Sequence, residues 1–255
     1  MILGFIGTGK ITTALVEGYS TCSTPPDKII VSPRNAQRAR ELSERIRSVI
    51  IGQTNQDVID KSDTVFLALR PETAESVLTP LRFRPDHTII SLIPTIPLTM
   101  IHDYVEPAGR ISRAVPLPSV SRQYGPILLF QKNEQSESIV KLVGTPVPVR
   151  EESDLHALWA MNGMISPFFE LMAVLRDWSV ALGVEKKVAQ TYTVRFVYTL
   201  ARMALENPDT DFSDLAHEAA TPGGLNEQAL GMIQALGGYE SFETALDAVR
   251  ERFNS

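Results

Sequence analysis

A doubly wound α/β sheet followed by an all-helical C-terminal domain is the fold this sequence predicts, on three observations. The chain opens on a short apolar run that ends in Gly7-Thr8-Gly9, ahead of a helical pattern. Further apolar runs of strand length follow at residues 29–31, 49–51, 64–69 and 88–93. They are continuous rather than alternating and are separated by helical segments, as a parallel sheet covered on both faces requires. After Arg150-Glu151-Glu152-Ser153-Asp154 the strand signals give way to helical periodicity alone.

The first strand, glycine turn and helix together look like a dinucleotide-binding unit. Gly7 permits a tight turn, and Gly9 lets a pyrophosphate approach backbone N–H groups at the start of the next helix. Ile11, Ala14, Leu15 and Gly18 recur at helical spacing, although Thr12 stands where a third glycine is usual. Gly7, Thr8, Gly9, Lys10 and Ile11 are therefore the expected phosphate-binding segment. The second strand leads into Ser32-Pro33-Arg34-Asn35. A carboxylate there would favour NAD, whereas Ser32, Arg34 and Asn35 offer donors to a 2′-phosphate, so NADPH is expected over NADH. The alternative for this tetrapeptide is simple capping of the next helix, with Arg34 solvated.

A helical pattern through Leu42 and Ile46 precedes the third strand. Beyond residue 93, strand candidates lie at 110–115, 127–130 and 146–149, the prolines of the last making it an edge at best. In the C-terminal part Phe168, Leu171, Met172 and Leu175 share one helical face, and Val188, Tyr192, Phe196, Leu200 and Met203 another. Gly183, Asn207-Pro208, Pro222-Gly223-Gly224 and Gly237-Gly238 mark breaks. The expected organisation is a dinucleotide-binding domain over 1–150 and a helical dimerisation and substrate domain over 151–255. Its apolar helix faces are expected to pack against a second copy.

With 44% hydrophobic and 21% charged residues in 255, the composition is that of an ordinary soluble protein. A net charge of −6 offers no broad basic surface, so no nucleic-acid role is expected. One cysteine, Cys22, excludes an intrachain disulfide, and four scattered histidines show no ligand spacing, so no metal site is expected. The N-terminal residues lack the pattern of a signal peptide and no membrane segment is expected, so a cytoplasmic location is the expectation.

Over nearly its full length the chain resembles pyrroline-5-carboxylate reductase. The resemblance rests on the order and spacing of Gly4-Phe5-Ile6-Gly7-Thr8-Gly9, Ser32-Pro33-Arg34-Asn35, Phe66-Leu67-Ala68-Leu69-Arg70-Pro71-Glu72, Arg113-Ala114-Val115-Pro116 and Ala220-Thr221-Pro222-Gly223-Gly224. It implies a Rossmann-like domain, NAD(P)H reduction of a cyclic imine to proline, and an interwoven helical dimer. It also implies that Ala68, Leu69, Arg70 and Pro71 lie beside the cofactor and that the turn at Thr221 faces substrate. Gly223, Gly224 and Leu225 are then the expected substrate-binding residues. Thr221 and Asn226 are the expected catalytic ones, orienting a water that delivers a proton.

Departures fall where substrate chemistry would be. The family usually has Asn-Thr-Pro after its equivalent of Pro116, where this chain has Leu117-Pro118-Ser119. It usually has two threonines after Pro-Gly-Gly, where this chain has Leu225 and Asn226, and Ala-Ala-Gly where this chain has Ile93-Pro94-Thr95. The sequence therefore predicts a divergent reductase with an altered substrate loop. Two alternatives stand beside it. One is a non-catalytic NADP-binding sensor or interaction protein, favoured by Leu117 and Leu225. The other is a β-hydroxyacid dehydrogenase relative, disfavoured because Trp159 stands where that family has a lysine three residues before Asn162.

Overall fold

The computed structural model describes residues 1–253 and divides into two compact units, one formed by Met1–Trp159 with Phe253, the other by Ala160–Arg252. The first unit is built on eight strands: β1 (Ile2–Ile6), β2 (Lys28–Val31), β3 (Val49–Ile51), β4 (Thr64–Leu67), β5 (Thr88–Ser91), β6 (Arg110–Pro116), β7 (Pro126–Phe130) and β8 (Thr145–Val149). Between them run α1 (Lys10–Thr21), α2 (Ala36–Arg45), α3 (Asn55–Asp60), α4 (Pro71–Leu78), α5 (Leu98–Val105) and α6 (Glu134–Lys141), with α7 (Glu152–Ala160) after β8. The sheet order is β3-β2-β1-β4-β5-β6-β7-β8, so the chain reverses direction across the sheet between β1 and β4. In open α/β sheets that switch point opens a crevice at the carboxyl ends of the strands, where ligands bind.

Apolar residues at consecutive strand positions fill both faces, because side chains alternate along a strand. Leu3 and Phe5, Ile29 and Val31, Phe66 and Ile90 enter one core with Leu15, Val16 and Tyr19 of α1. Ile6, Ile30, Val65, Leu67 and Ile89 enter the other with residues of α3, α4 and α5. Phe5 and Phe66 are cross-strand partners whose rings stack at 4.6 Å. Gly18 is demanded by packing: a Cβ there would overlap the Val120 carbonyl oxygen, so α1 sits flush against the turn that follows β6.

The sheet departs from the all-parallel expectation at one place. β6 pairs with β7 antiparallel, whereas β7 and β8 are parallel. A single 3-10 turn, Pro118–Arg122, joins β6 to β7 with no crossover helix, and a connection that short returns the chain antiparallel. β8, with Pro146 and Pro148, is an edge strand, where missing N–H donors cost least.

The second unit contains only helices among its described residues: α8 (Ile165–Ala181), α9 (Lys186–Glu206), α10 (Phe212–Ala219), α11 (Leu225–Ala235) and α12 (Gly238–Arg250), with short 3-10 turns. Its apolar side chains are widely exposed, and neither α8 nor α11 buries a residue fully. One helical stretch, 152–181, is long and apolar enough to cross a membrane by length and composition alone. Glu170, Arg176 and Asp177 interrupt it, and charges at such depth are expensive in lipid.

Candidate active site

The glycine loop is held from below by hydroxyl groups. At the end of β1, Gly7 turns the chain at φ 100°, and a Cβ there would overlap the carbonyl oxygen of Ala68. The ends of β1 and β4 therefore touch through backbone. Gly7 N–H donates to Ser32 Oγ at 2.9 Å, and Thr8 Oγ1 donates to the Ser32 carbonyl at 2.8 Å. With the Thr8 proton so used, the 3.2 Å contact between the two hydroxyls is made with Ser32 as donor. Ser32 is accordingly buried and directed inward, which corrects its expected place among exposed phosphate donors: its hydroxyl fastens the loop to β2. Thr12, in place of the third glycine, donates its hydroxyl to the Gly7 carbonyl at 2.8 Å and closes the turn from the helix side.

Gly9 differs from Gly7. Its φ of −93° suits any residue, and a Cβ there would meet nothing within 4 Å. Folding does not require glycine at this position, whereas close approach of a ligand does. Gly9 is also the N-cap of α1, with no side chain capping the helix, so the first N–H groups of a 12-residue helix are offered to an anion. These features fit a dinucleotide pyrophosphate. Gly9→Ala should leave the thermal midpoint within about 2 °C of the parent, as surface changes cost at most about 0.5 kcal/mol. It should weaken NADPH binding about tenfold or more, because the methyl occupies the approach; equal affinity by fluorescence titration would refute the assignment.

Arg34 is exposed and Asn35 half-buried. Asn35 Oδ1 caps α2 by accepting from Arg38 N–H at 3.3 Å, so the capping alternative holds for Asn35 while Arg34 remains available to a phosphate. Lys10 is exposed as the first residue of α1, and Ile11 packs against the core. In the segment after β4, Leu69 turns into the core, which leaves half-buried Ala68, exposed Arg70 and the helix-starting Pro71 at the crevice. After β5, Thr95 takes φ 65°, a conformation costly for a β-branched residue and suited to the glycine the resembling family carries there.

A polar strut that sequence reasoning missed lies beneath this last loop. Arg113 of β6 is fully buried; it donates to the Ile96 carbonyl and forms an ion pair with Glu152 at the start of α7. Glu152 in turn accepts from Leu98 N–H at 3.1 Å, at the start of α5. Burial pulls the Arg113 pKa down, and the Glu152 carboxylate opposes it. The available signal was a lone arginine inside an apolar strand, since a buried cation demands a partner.

In the helical unit, Gly223 at φ 73° turns the chain and Gly224 is the N-cap of α11. Gly224 N–H donates to the Thr221 carbonyl at 2.8 Å. Asn226 donates its side-chain amide to the Ala219 carbonyl at 2.9 Å, and Gly223 N–H donates to Glu227 Oε2 at 2.7 Å. Thr221, Leu225 and Asn226 are exposed. Trp159 packs on Phe253 with ring centres 5.6 Å apart, an apolar contact where a dehydrogenase of the β-hydroxyacid class would need a proton donor.

Comparison with known proteins agrees with this architecture. Residues 2–94 match the family model described as NADP oxidoreductase coenzyme F420-dependent, and residues 152–255 match that described as pyrroline-5-carboxylate reductase dimerisation. The pyrroline-5-carboxylate reductase of Pasteurella multocida is 25% identical over 97% of this chain and 94% of its own length. The structure of a pyrroline-5-carboxylate reductase from Coxiella burnetii aligns with a TM-score of 0.81 at 27% identity, over 99% of this chain and 97% of that one. The Plasmodium falciparum pyrroline carboxylate reductase with NADP bound shares the fold at a TM-score of 0.81 and 17% identity, over 99% and 97% of the two chains. With both of its parts matched in order and its relatives covered nearly end to end, the chain is similar throughout to pyrroline-5-carboxylate reductases, and these matches support that family.

Proposed function

We propose that this chain is an NADPH-dependent oxidoreductase that reduces the C=N bond of a cyclic imine, acting in the cytoplasm as a homodimer. The observation that carries the proposal is Gly9, a glycine that packing leaves unexplained and an approaching pyrophosphate explains, on an uncapped helix N-terminus. When bound, NADPH supplies the hydride that adds to the carbon of the protonated C=N bond, the π pair passing to nitrogen, with amine and NADP⁺ as products. The α1 N–H groups hold the pyrophosphate while Ser32, Thr8 and Thr12 keep the loop rigid, so little order has to be gained on binding. Arg34 engages the 2′-phosphate, and Ala68 and Arg70 border the cofactor. In the helical unit, Gly223, Gly224 and Leu225 form the substrate-facing turn, with Thr221 and Asn226 orienting the water that protonates the imine nitrogen ahead of hydride transfer. The dimerisation match and the apolar helix faces support association through the C-terminal unit.

The test is oxidation of NADPH, followed by its absorbance, in the presence of cyclic imines. No turnover with any of them would leave an NADP-binding protein without this activity. Arg34→Ala should weaken NADPH binding by roughly 1.5–3 kcal/mol, the usual worth of a hydrogen bond to a charged group, and leave NADH binding nearly unchanged. Equal losses for both cofactors would show that Arg34 does not read the 2′-phosphate.

A further inference from the structure

The turn assigned above to the substrate already holds a carboxylate, and it is the chain's own. Glu227 lies in the first turn of α11, and its Oε2 accepts from Gly223 N–H at 2.7 Å, the hydrogen bond a substrate carboxylate would otherwise take. Two further donors are also engaged within the segment, Gly224 N–H by the Thr221 carbonyl and the Asn226 amide by the Ala219 carbonyl. A carboxylate-bearing substrate has to displace Glu227 from Gly223 and then hold its carboxylate beside that negative charge. A protonated cyclic imine without a carboxylate is a cation, which the same charge attracts. Resting on the proposal that this turn faces the imine, we infer that Glu227 is a specificity-determining residue that selects cyclic imines lacking a carboxylate. Leu225 beside it presents apolar surface where a carboxylate-binding turn would offer a hydroxyl. The proposed reduction itself is unaffected: hydride still adds to carbon, and only the charge carried elsewhere on the ring is read by Glu227.

The experiment compares kcat/KM for 2-methyl-1-pyrroline, a five-membered imine without a carboxylate, with that for 1-pyrroline-5-carboxylate, in the parent and in Glu227→Gln. Glutamine keeps a side-chain oxygen for Gly223 N–H and removes the charge. The parent should favour the uncarboxylated imine by about tenfold or more, and Glu227→Gln should reduce that preference by about tenfold, since like charges brought together cost enough to change affinity on this scale. Glu240→Gln, on the exposed first turn of α12, should keep the parent's preference and so separate a local effect from one of net charge. NADPH affinity measured on each variant checks that the protein is intact. A parent that prefers the carboxylated imine, or a preference unmoved in Glu227→Gln, overturns the role of Glu227 while leaving imine reduction standing. Turnover of neither imine defeats both.

Discussion

Glu152→Ala is expected to destabilise the first unit by about 3–5 kcal/mol, the range for removing one partner of a buried ion pair. The size follows from what is left behind. Arg113 is fully buried, and its remaining hydrogen-bond acceptor is the neutral Ile96 carbonyl. The Leu98 N–H loses its acceptor as well, at the first residue of α5, where a free donor has no helical partner. The loss should appear as a lower denaturation midpoint with an unchanged dependence on denaturant, the mark of altered stability rather than altered compactness. His156 supplies an independent local readout. Burial holds its pKa below the usual imidazole value, Glu152 raises it and Arg113 lowers it. Removing Glu152 therefore lowers it further, measurable by NMR titration of the His156 ring. The sign of the coupling to stability follows: an imidazole that binds its proton less readily when folded costs stability as pH falls below about 6.5, so the variant should lose more on acidification than the parent. A variant as stable as the parent would show that Arg113 finds another partner. Because the strut ties the loop after β5 to β6 and α7, its loss should also reduce turnover of the folded protein.

The glycine loop and most strands were legible in the sequence because each depends on short-range pattern. Continuous apolar runs and intervening helices suffice to place β1 to β5, and Gly7 and Gly9 fall where such a sheet turns into a helix. The direction of β7 was not legible, since it depends on the connection through Pro118–Arg122 rather than on the strand's own residues. Ser32 shows a different limit. A hydroxyl two residues before an arginine reads as a phosphate donor, and only the fold reveals that it points under the loop, at Gly7 and Thr8. Thr12 shows the converse: a missing glycine looked like a defect and proves to be a second fastening of the same turn. Arg113 and Glu152 are 39 positions apart, and Glu227 looks like any helix-starting acid until Gly223 N–H is seen to meet it. In each case the information sits in a relation between residues distant in sequence or ambiguous in role.

Sedimentation of the intact protein at submicromolar concentration is expected to give about twice the 28.2 kDa chain mass, and Trp178→Glu is expected to abolish that species. Within the helical unit, Trp178 is 67% exposed, Leu205 80% and Phe212 77%. Phe169 and Tyr192 are likewise open, and the rings of Tyr192 and Phe196 stack on the surface of α9. Single exposed hydrophobic residues are ordinary, but aromatic and aliphatic groups repeated along α8, α9 and α10 amount to an association surface. Burying such area returns about 25 cal/mol per Å², and obligate dimers bury roughly 2,000–5,000 Å² in all. A second copy of the same helices offers apolar faces of matching character, which is the economical way for a closed dimer to cover them. Trp178 is chosen because buried tryptophans rank among the residues whose loss costs binding most, commonly 2 kcal/mol or more. Glutamate adds an unpaired charge that would have to be desolvated in the interface. The expected loss of affinity therefore exceeds that of truncation to alanine, roughly 30-fold at 2 kcal/mol. Imine reduction should fall in step with dimer content across a dilution series of the variant. A parent that sediments as a folded monomer with full activity, or a Trp178→Glu protein that remains dimeric, would remove the helical unit from the association.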